Sequence, residues 1–229
     1  MDQQNVLIGC LERAPIFSKL GPVDREALAG SAVRRDYRIG QSVCWQGEPW
    51  PKAAVVVSGS LNWAMLSPGG KRQVVASLGP DDVIWGHTLL DDKPMPASIE
   101  VMAASTLYEW RREDVVPLVS AHAEAAWDIS RLMVGYMRRA RDVIYGFAFQ
   151  PVAGRLARLL LDHYQPIEGE PTARELTLDE MAARVGTNRE FISRTLHQLS
   201  DQGVIEISRV EFILTNRERL EQLAGQDKD

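Results

Sequence analysis

Apolar and polar positions change their period twice along this chain. From about residue 14 to 112 the pattern is one of short apolar runs cut by glycine and proline. Ala53-Ala54-Val55-Val56-Val57-Ser58-Gly59-Ser60-Leu61 predicts strand, turn and strand. Pro68-Gly69-Gly70-Lys71 and Gly79-Pro80-Asp81-Asp82 are turn signals on either side of a strand expected at 73–78, and Val83-Ile84-Trp85 opens another. Short strands at this regular spacing point to a sandwich or barrel rather than a parallel α/β sheet. A helix over about 24–32 is expected ahead of them. Asp24 is a good cap, and Ala27, Leu28 and Ala32 keep helical spacing.

From 113 to 148 the period becomes helical. Ile129, Leu132, Met133, Tyr136, Met137, Ala140, Val143, Ile144 and Phe147 recur at steps of three and four, forming one stripe on a long helix. Such a stripe suits a coiled-coil seam. Homodimerisation through Ile129, Met133, Tyr136, Ala140, Val143 and Phe147 is therefore expected, packing on the chain's own barrel being the other way to bury them. Gln150-Pro151 then breaks the pattern, because the residue before proline avoids helix. A helix carrying Val152, Leu156, Leu159 and Leu160 follows, and 165–171 reads as a loop. The expected organisation is α+β, with a β-barrel domain at 1–112, a long helix at 113–149 and a third domain at 150–229.

Function is most legible in the third domain. Thr177 and Glu180 have the spacing of a capping box, opening a helix through Met181, Ala182 and Val185 that stops at Gly186. Thr187 and Glu190 repeat the spacing at once. Two helices meeting across so short a turn predict a helix-turn-helix. On the second helix Ile192, Thr195, Leu196 and Leu199 share one face, and Glu190, Ser193, Arg194 and His197 the other, with Arg189 on the flank. The first turns of a recognition helix enter the major groove, where arginine matches the two acceptors of guanine and glutamate the amino group of cytosine. Thr187, Arg189, Glu190, Ser193 and Arg194 are thus candidate DNA contacts. Blander roles compete, Glu190 as a capping partner and Arg194 as its i,i+4 ion pair. Past Gly203, strands at 204–207 and 212–215 predict a wing with Arg209 at its tip, placed for a phosphate.

Composition changes this picture little. At 229 residues the chain is long enough for two domains. Its net charge of −5 weighs against nucleic acid only globally, since a few arginines on one face suffice locally. No apolar run approaches the ~20 residues that span a bilayer. Met1-Asp2-Gln3-Gln4-Asn5 lacks the basic start of a signal peptide, so a cytoplasmic protein without membrane contact is expected. The two cysteines, Cys10 and Cys44, cannot supply a four-thiolate iron–sulfur cluster, and the four histidines lack zinc spacing. The barrel zone holds one histidine, too few for the metal chemistry of cupin-type enzymes, so no catalytic residue is assigned.

The run Leu176-Thr177-Leu178-Asp179-Glu180-Met181-Ala182-Ala183-Arg184-Val185-Gly186-Thr187-Asn188-Arg189-Glu190-Phe191-Ile192-Ser193-Arg194-Thr195-Leu196 resembles the Crp/Fnr transcription regulators, and Gly40, Gly47 and Gly59 sit like turn glycines of that family's β-roll. The resemblance implies a bacterial regulator with a β-roll sensor, a long dimerisation helix and a C-terminal winged helix-turn-helix. It also implies a palindromic site with TGA in each half, RNA polymerase as a partner and an effector pocket around Trp85, His87 and Thr88. That pocket departs from the cyclic-nucleotide pattern. Trp85-Gly86-His87-Thr88 has histidine where binders have glutamate, and Met95-Pro96-Ala97-Ser98 lacks their phosphate-binding arginine. Burying a phosphate without such a donor is costly, so an effector other than cyclic AMP is expected. His87 lies where the family's haem-dependent carbon-monoxide sensors carry an iron-ligating histidine, which makes haem a candidate cofactor. Cys44 is readable either as a redox switch or as a half-buried strand residue. Trp63, Trp85 and Trp110 are expected in the core.

Overall fold

The structure, a computed structural model, describes residues 3–225. The chain divides into two compact units: the first runs up to Gly70 and resumes over Val74–Arg139, and the second comprises Lys71–Gln73 and the chain from Ala140 on.

In the first unit α1 (Gln3–Arg13) turns Leu7, Cys10 and Leu11 into the core. The apolar pattern of the sequence does not predict this helix. A 3₁₀ turn (Phe17–Lys19) leads to α2 (Pro22–Ser31). Asp24 does not cap α2. Gly21 holds the cap position and Pro22 takes the first turn, where its missing N–H costs nothing. Asp24 sits within that turn and pairs with His122 Nε2 at 2.7 Å.

Six strands follow: β1 (Val33–Tyr37), β2 (Ser42–Cys44), β3 (Lys52–Leu66), β4 (Arg72–Leu78), β5 (Val83–Trp85) and, after the short α3 (Thr88–Asp91), β6 (Ser98–Arg111). Their order is β1-β6-β3-β4, with β2 also on β6 and β5 also on β3. The strand–turn–strand expected around Gly59 is a single strand. Its register against β6 slips between Val56 and Leu61 and never reverses. Gly59 is needed for close approach, because a Cβ there would lie 2.5 Å from the Ala104 carbonyl, and its φ is 93°.

Alternation along these strands sorts side chains onto two faces. Ala54, Val56, Leu61, Trp63, Ile84, Ile99 and Leu107 fill the barrel interior. Ala53, Val55, Val83, Trp85, Tyr108 and Trp110 face α1, α2 and the helices after β6. Trp110 Nε1 donates to the Leu28 carbonyl at 2.7 Å, closing α2 onto the sheet.

The single helix expected over 113–149 is two: α4 (Arg112–Ser120) and α5 (Ala123–Phe149). The chain turns at Ala121-His122, whose N–H groups bond back to the carbonyls of Pro117 and Val119. Among the described residues no helix is long and apolar enough to cross a membrane.

The second unit contains α6 (Val152–Tyr164), β7 (Pro171–Ala173), α7 (Leu178–Val185), α8 (Arg189–Asp201), β8 (Ile205–Ile207), β9 (Glu211–Leu214) and α9 (Arg217–Leu223). The stretch expected as loop at 165–171 runs into β7, which extends the wing to a three-stranded sheet ordered β7-β9-β8. Leu156, Leu160, Met181, Ile192, Leu196, Phe212 and Leu220 form one core beneath α7 and α8. Each such side chain contributes about 1.5–3 kcal/mol through burial. Gly154 lets α6 approach α9, since a Cβ would meet the Leu223 carbonyl at 2.6 Å.

Candidate nucleic-acid interface

The two helices of the motif are set by their ends. Thr177 Oγ1 accepts from the Glu180 N–H at 3.2 Å, and Glu180 accepts from the Thr177 N–H at 2.7 Å, so the first capping box is formed. Gly186 ends α7 at φ 75°. The second cap falls one residue later than expected. Asn188, not Thr187, caps α8, its Oδ1 accepting from the Phe191 N–H at 2.9 Å. The Thr187 N–H bonds back to the Ala182 carbonyl at 3.0 Å, so Thr187 closes α7. Asparagine caps as well as threonine, and it sits one step nearer the helix. Glu190 is thereby released from the capping role, in the first turn, where the helix dipole favours a carboxylate.

α8 buries Ile192, Thr195, Leu196 and Leu199. Arg189, Glu190, Arg194 and His197 are exposed, and Ser193 is half-buried between them. Among the described residues Glu190 and Arg194 form no ion pair. Arg189 lies on the flank, 3.3 Å from Asp179 on α7, with both side chains in solvent. Such a pair contributes at most ~1 kcal/mol and leaves the arginine able to swing away. Arg194 instead lies over the ring of Phe191, its guanidinium carbon 5.1 Å from the centroid. Phe191 is 45% exposed and is not among the DNA contacts expected from the sequence. The signal was present: a large apolar residue outside the Ile192–Leu199 face.

At the wing tip Ser208 Oγ accepts from the N–H groups of Val210 and Glu211. Arg174 Nη1 donates to the Ser208 carbonyl at 2.8 Å. These bonds fix the turn, and Arg209 projects from it exposed.

The expected effector residues separate in the first unit. Trp85 is on the helix-facing side of β5, because alternation sends Ile84 and not its neighbours into the barrel. Thr88 is used by its own loop, its Oγ1 donating to the Lys93 carbonyl and accepting from the Trp50 N–H. His87 alone joins barrel-interior side chains. Its ring lies 5.1 Å from Trp63, edge to face, and stacks at 6.2 Å on Tyr136 from α5, while Tyr136 meets Trp63 at 4.6 Å. His87 Nδ1 and Trp63 Nε1 are buried without a hydrogen-bond partner. Burial holds the His87 imidazole below its usual pKa. Where cyclic-nucleotide binders carry arginine, Met95 and Ala97 enter the apolar interior. Cys10 and Cys44 are both buried, and desolvation pushes each thiol up to about 12. Neither is a reactive thiolate, which disfavours the redox-switch reading of Cys44.

The expected seam on α5 also divides. Ile129 and Met133 pack against the helix-facing core of their own unit, and Tyr136 packs against the barrel interior. Val143 is half-buried, Ala140 is exposed, and Phe147 carries the Arg155 guanidinium over its ring at 4.9 Å. The exposed apolar side chains of α5 include Trp127, Val134, Met137 and Ile144. They follow one another at steps of seven, three and seven, again a heptad spacing, on a neighbouring face.

Residues 154–223 match the model of the Crp-like helix-turn-helix domain, and residues 34–122 that of the cyclic nucleotide-binding domain. The chain is 26% identical over 214 residues to the cyclic AMP receptor protein of Thermus thermophilus, covering 93% of this chain and 98% of that protein. It is 30% identical over 210 residues to the transcriptional activator protein FnrL of Cereibacter sphaeroides, covering 85% of this chain and 82% of that one. In fold it is similar to FixK2 from Bradyrhizobium japonicum, with a TM-score of 0.69 at 23% identity over 84% of this chain and 96% of that one.

Proposed function

The chain belongs to the Crp/Fnr family of transcription regulators, and from that premise we propose that it acts as a homodimer reading a two-fold palindromic DNA site through α8. The observation that carries this reading is the Asn188 cap. It starts α8 so that Glu190 and Arg194, one turn apart, are both exposed to solvent and not paired with each other. At that spacing the two side chains reach base edges of neighbouring pairs, arginine to guanine and glutamate to cytosine. Arg189, Ser193 and Thr187 flank them, and Arg209 on the wing meets the phosphate backbone. The partner copy packs on the exposed Trp127–Val134–Met137–Ile144 face of α5. Bound DNA would place RNA polymerase within reach of the regulator.

The effector is not a 3′,5′-cyclic nucleotide. The Trp63–His87–Tyr136 cluster occupies the barrel side of α5, and the segment Met95–Ser98 carries no arginine. A phosphate placed there would lose its hydration without the arginine that cyclic-nucleotide binders supply from that segment. Haem ligation by His87 is the second reading, its ring packed edge to face against Trp63 and stacked on Tyr136 with Nδ1 buried and unpartnered.

The reading is tested by fluorescence anisotropy on fragments of genomic DNA from the source organism. Specific fragments should bind in the range 10⁻⁸–10⁻¹¹ M at physiological salt, with affinity falling steeply as salt rises. Equal, micromolar binding to every fragment would refute it.

A further inference from the structure

We propose that Phe191 is a specificity residue of the DNA interface, reading the 5-methyl group of a thymine next to the base pair contacted by Arg194. The inference rests on α8 being the recognition helix.

Phe191 is the third residue of α8, and Asn188 fixes its backbone by accepting from its N–H. Its carbonyl is held in turn by Thr195 Oγ1 at 2.7 Å. A side chain anchored this way has little freedom to fold back onto the protein. The core beneath α8 has no place for it, since Ile192, Leu196 and Leu199 fill that face. An exposed phenylalanine contributes little to folding, and in the first turn of a groove-reading helix it meets bases.

Its neighbour defines what it meets. The Arg194 guanidinium lies over one face of the ring at 5.1 Å, a cation–π contact. That contact holds the guanidinium fork ahead of binding, so less freedom is lost when it grips guanine. Phe191 is still 45% exposed, so part of its surface is open to a partner. Phenylalanine offers no hydrogen bond, so among base edges in the major groove its complement is the apolar thymine methyl.

The claim is separable from DNA binding itself by removing one methyl group from the DNA. A site is first selected with the wild-type protein, and each thymidine in it is replaced singly by deoxyuridine. At one thymine beside the guanine assigned to Arg194, the loss should be about fourfold, the worth of one buried methyl. The Phe191→Ala variant should bind more weakly and no longer distinguish thymine from uracil there. Phe191→Leu, which keeps apolar contact but not the stacking, should retain the distinction. If selection yields no site, the reading of α8 fails. If a site is found but no thymine is methyl-sensitive, or if Phe191→Ala keeps the sensitivity, Phe191 does not read thymine.

Discussion

Arg155 of α6 donates from Nε to the carbonyl of Val185, the last residue of α7, at 2.8 Å. Through Nη1 it also holds the Gln150 carbonyl at 2.7 Å, just past the end of α5. A helix leaves its last carbonyls without intrahelical donors, and here one guanidinium serves two such ends. Arg155→Ala should therefore cost about 2 kcal/mol in the unfolding of the second unit, since bonds from a charged donor are of that size. Urea titration followed by circular dichroism measures it. Arg155→Lys should recover only part of the loss, because an ammonium lacks the fork that serves separated acceptors. An unchanged midpoint in the alanine variant would show the bonds to be incidental.

The two faces of α5 predict two different failures. Met137→Glu should leave the chain folded and weaken dimerisation by at least ~100-fold, a carboxylate in a buried seam costing several kcal/mol. Ile129→Glu should instead lower the unfolding midpoint, because that side chain packs in its own unit. Sedimentation equilibrium and thermal melts separate the two. A monomeric wild type at micromolar concentration would overturn the dimer.

The winged helix was legible in the sequence because its signals are local. Thr177, Glu180 and Gly186 act through bonds within a few residues of themselves. The cap of α8 was misplaced by one residue because Thr187 and Asn188 are both competent caps, and the choice is made by how α7 ends. Tertiary choices were less legible. The stripe from Ile129 to Phe147 carries apolar residues on adjacent faces, and periodicity alone does not say which one meets the barrel. Trp85 was placed in the effector pocket by resemblance, although strand alternation at Val83-Ile84-Trp85 sends it to the opposite face from Ile84. Gly59 reads as a turn in sequence, but what it answers is Ala104 on a strand some forty residues away.

His87 links stability to pH. Burial depresses its pKa in the folded state, so the unfolded chain binds the proton more readily as pH falls through about 6.5. Its contribution to stability is full above that value and is lost progressively below it. His87→Phe should keep the ring contacts with Trp63 and Tyr136 and flatten this part of the profile. Unfolding free energies at pH 5 to 8 check it, and identical slopes for both proteins would exclude the assignment.

Cyclic nucleotides should give no saturable heat on titration into the protein at micromolar concentration. A specific micromolar affinity would mean that the Trp63–His87–Tyr136 cluster opens and that another group meets the phosphate.

Selection of binding sites from a random duplex library, run in parallel with the wild type and Arg194→Ala, tests the assignment of the DNA-reading face most directly. Wild type should return a two-fold palindrome whose half-sites contain TGA and lie about one helical turn, ~34 Å, apart. Arg194→Ala should return the same palindrome with preference lost at one base pair in each half, at a cost of ~1–3 kcal/mol. Arg209→Ala should keep every preference and lower the salt slope by about one. Non-palindromic sites, or an Arg194→Ala variant with the wild-type preference intact, would contradict the assignment.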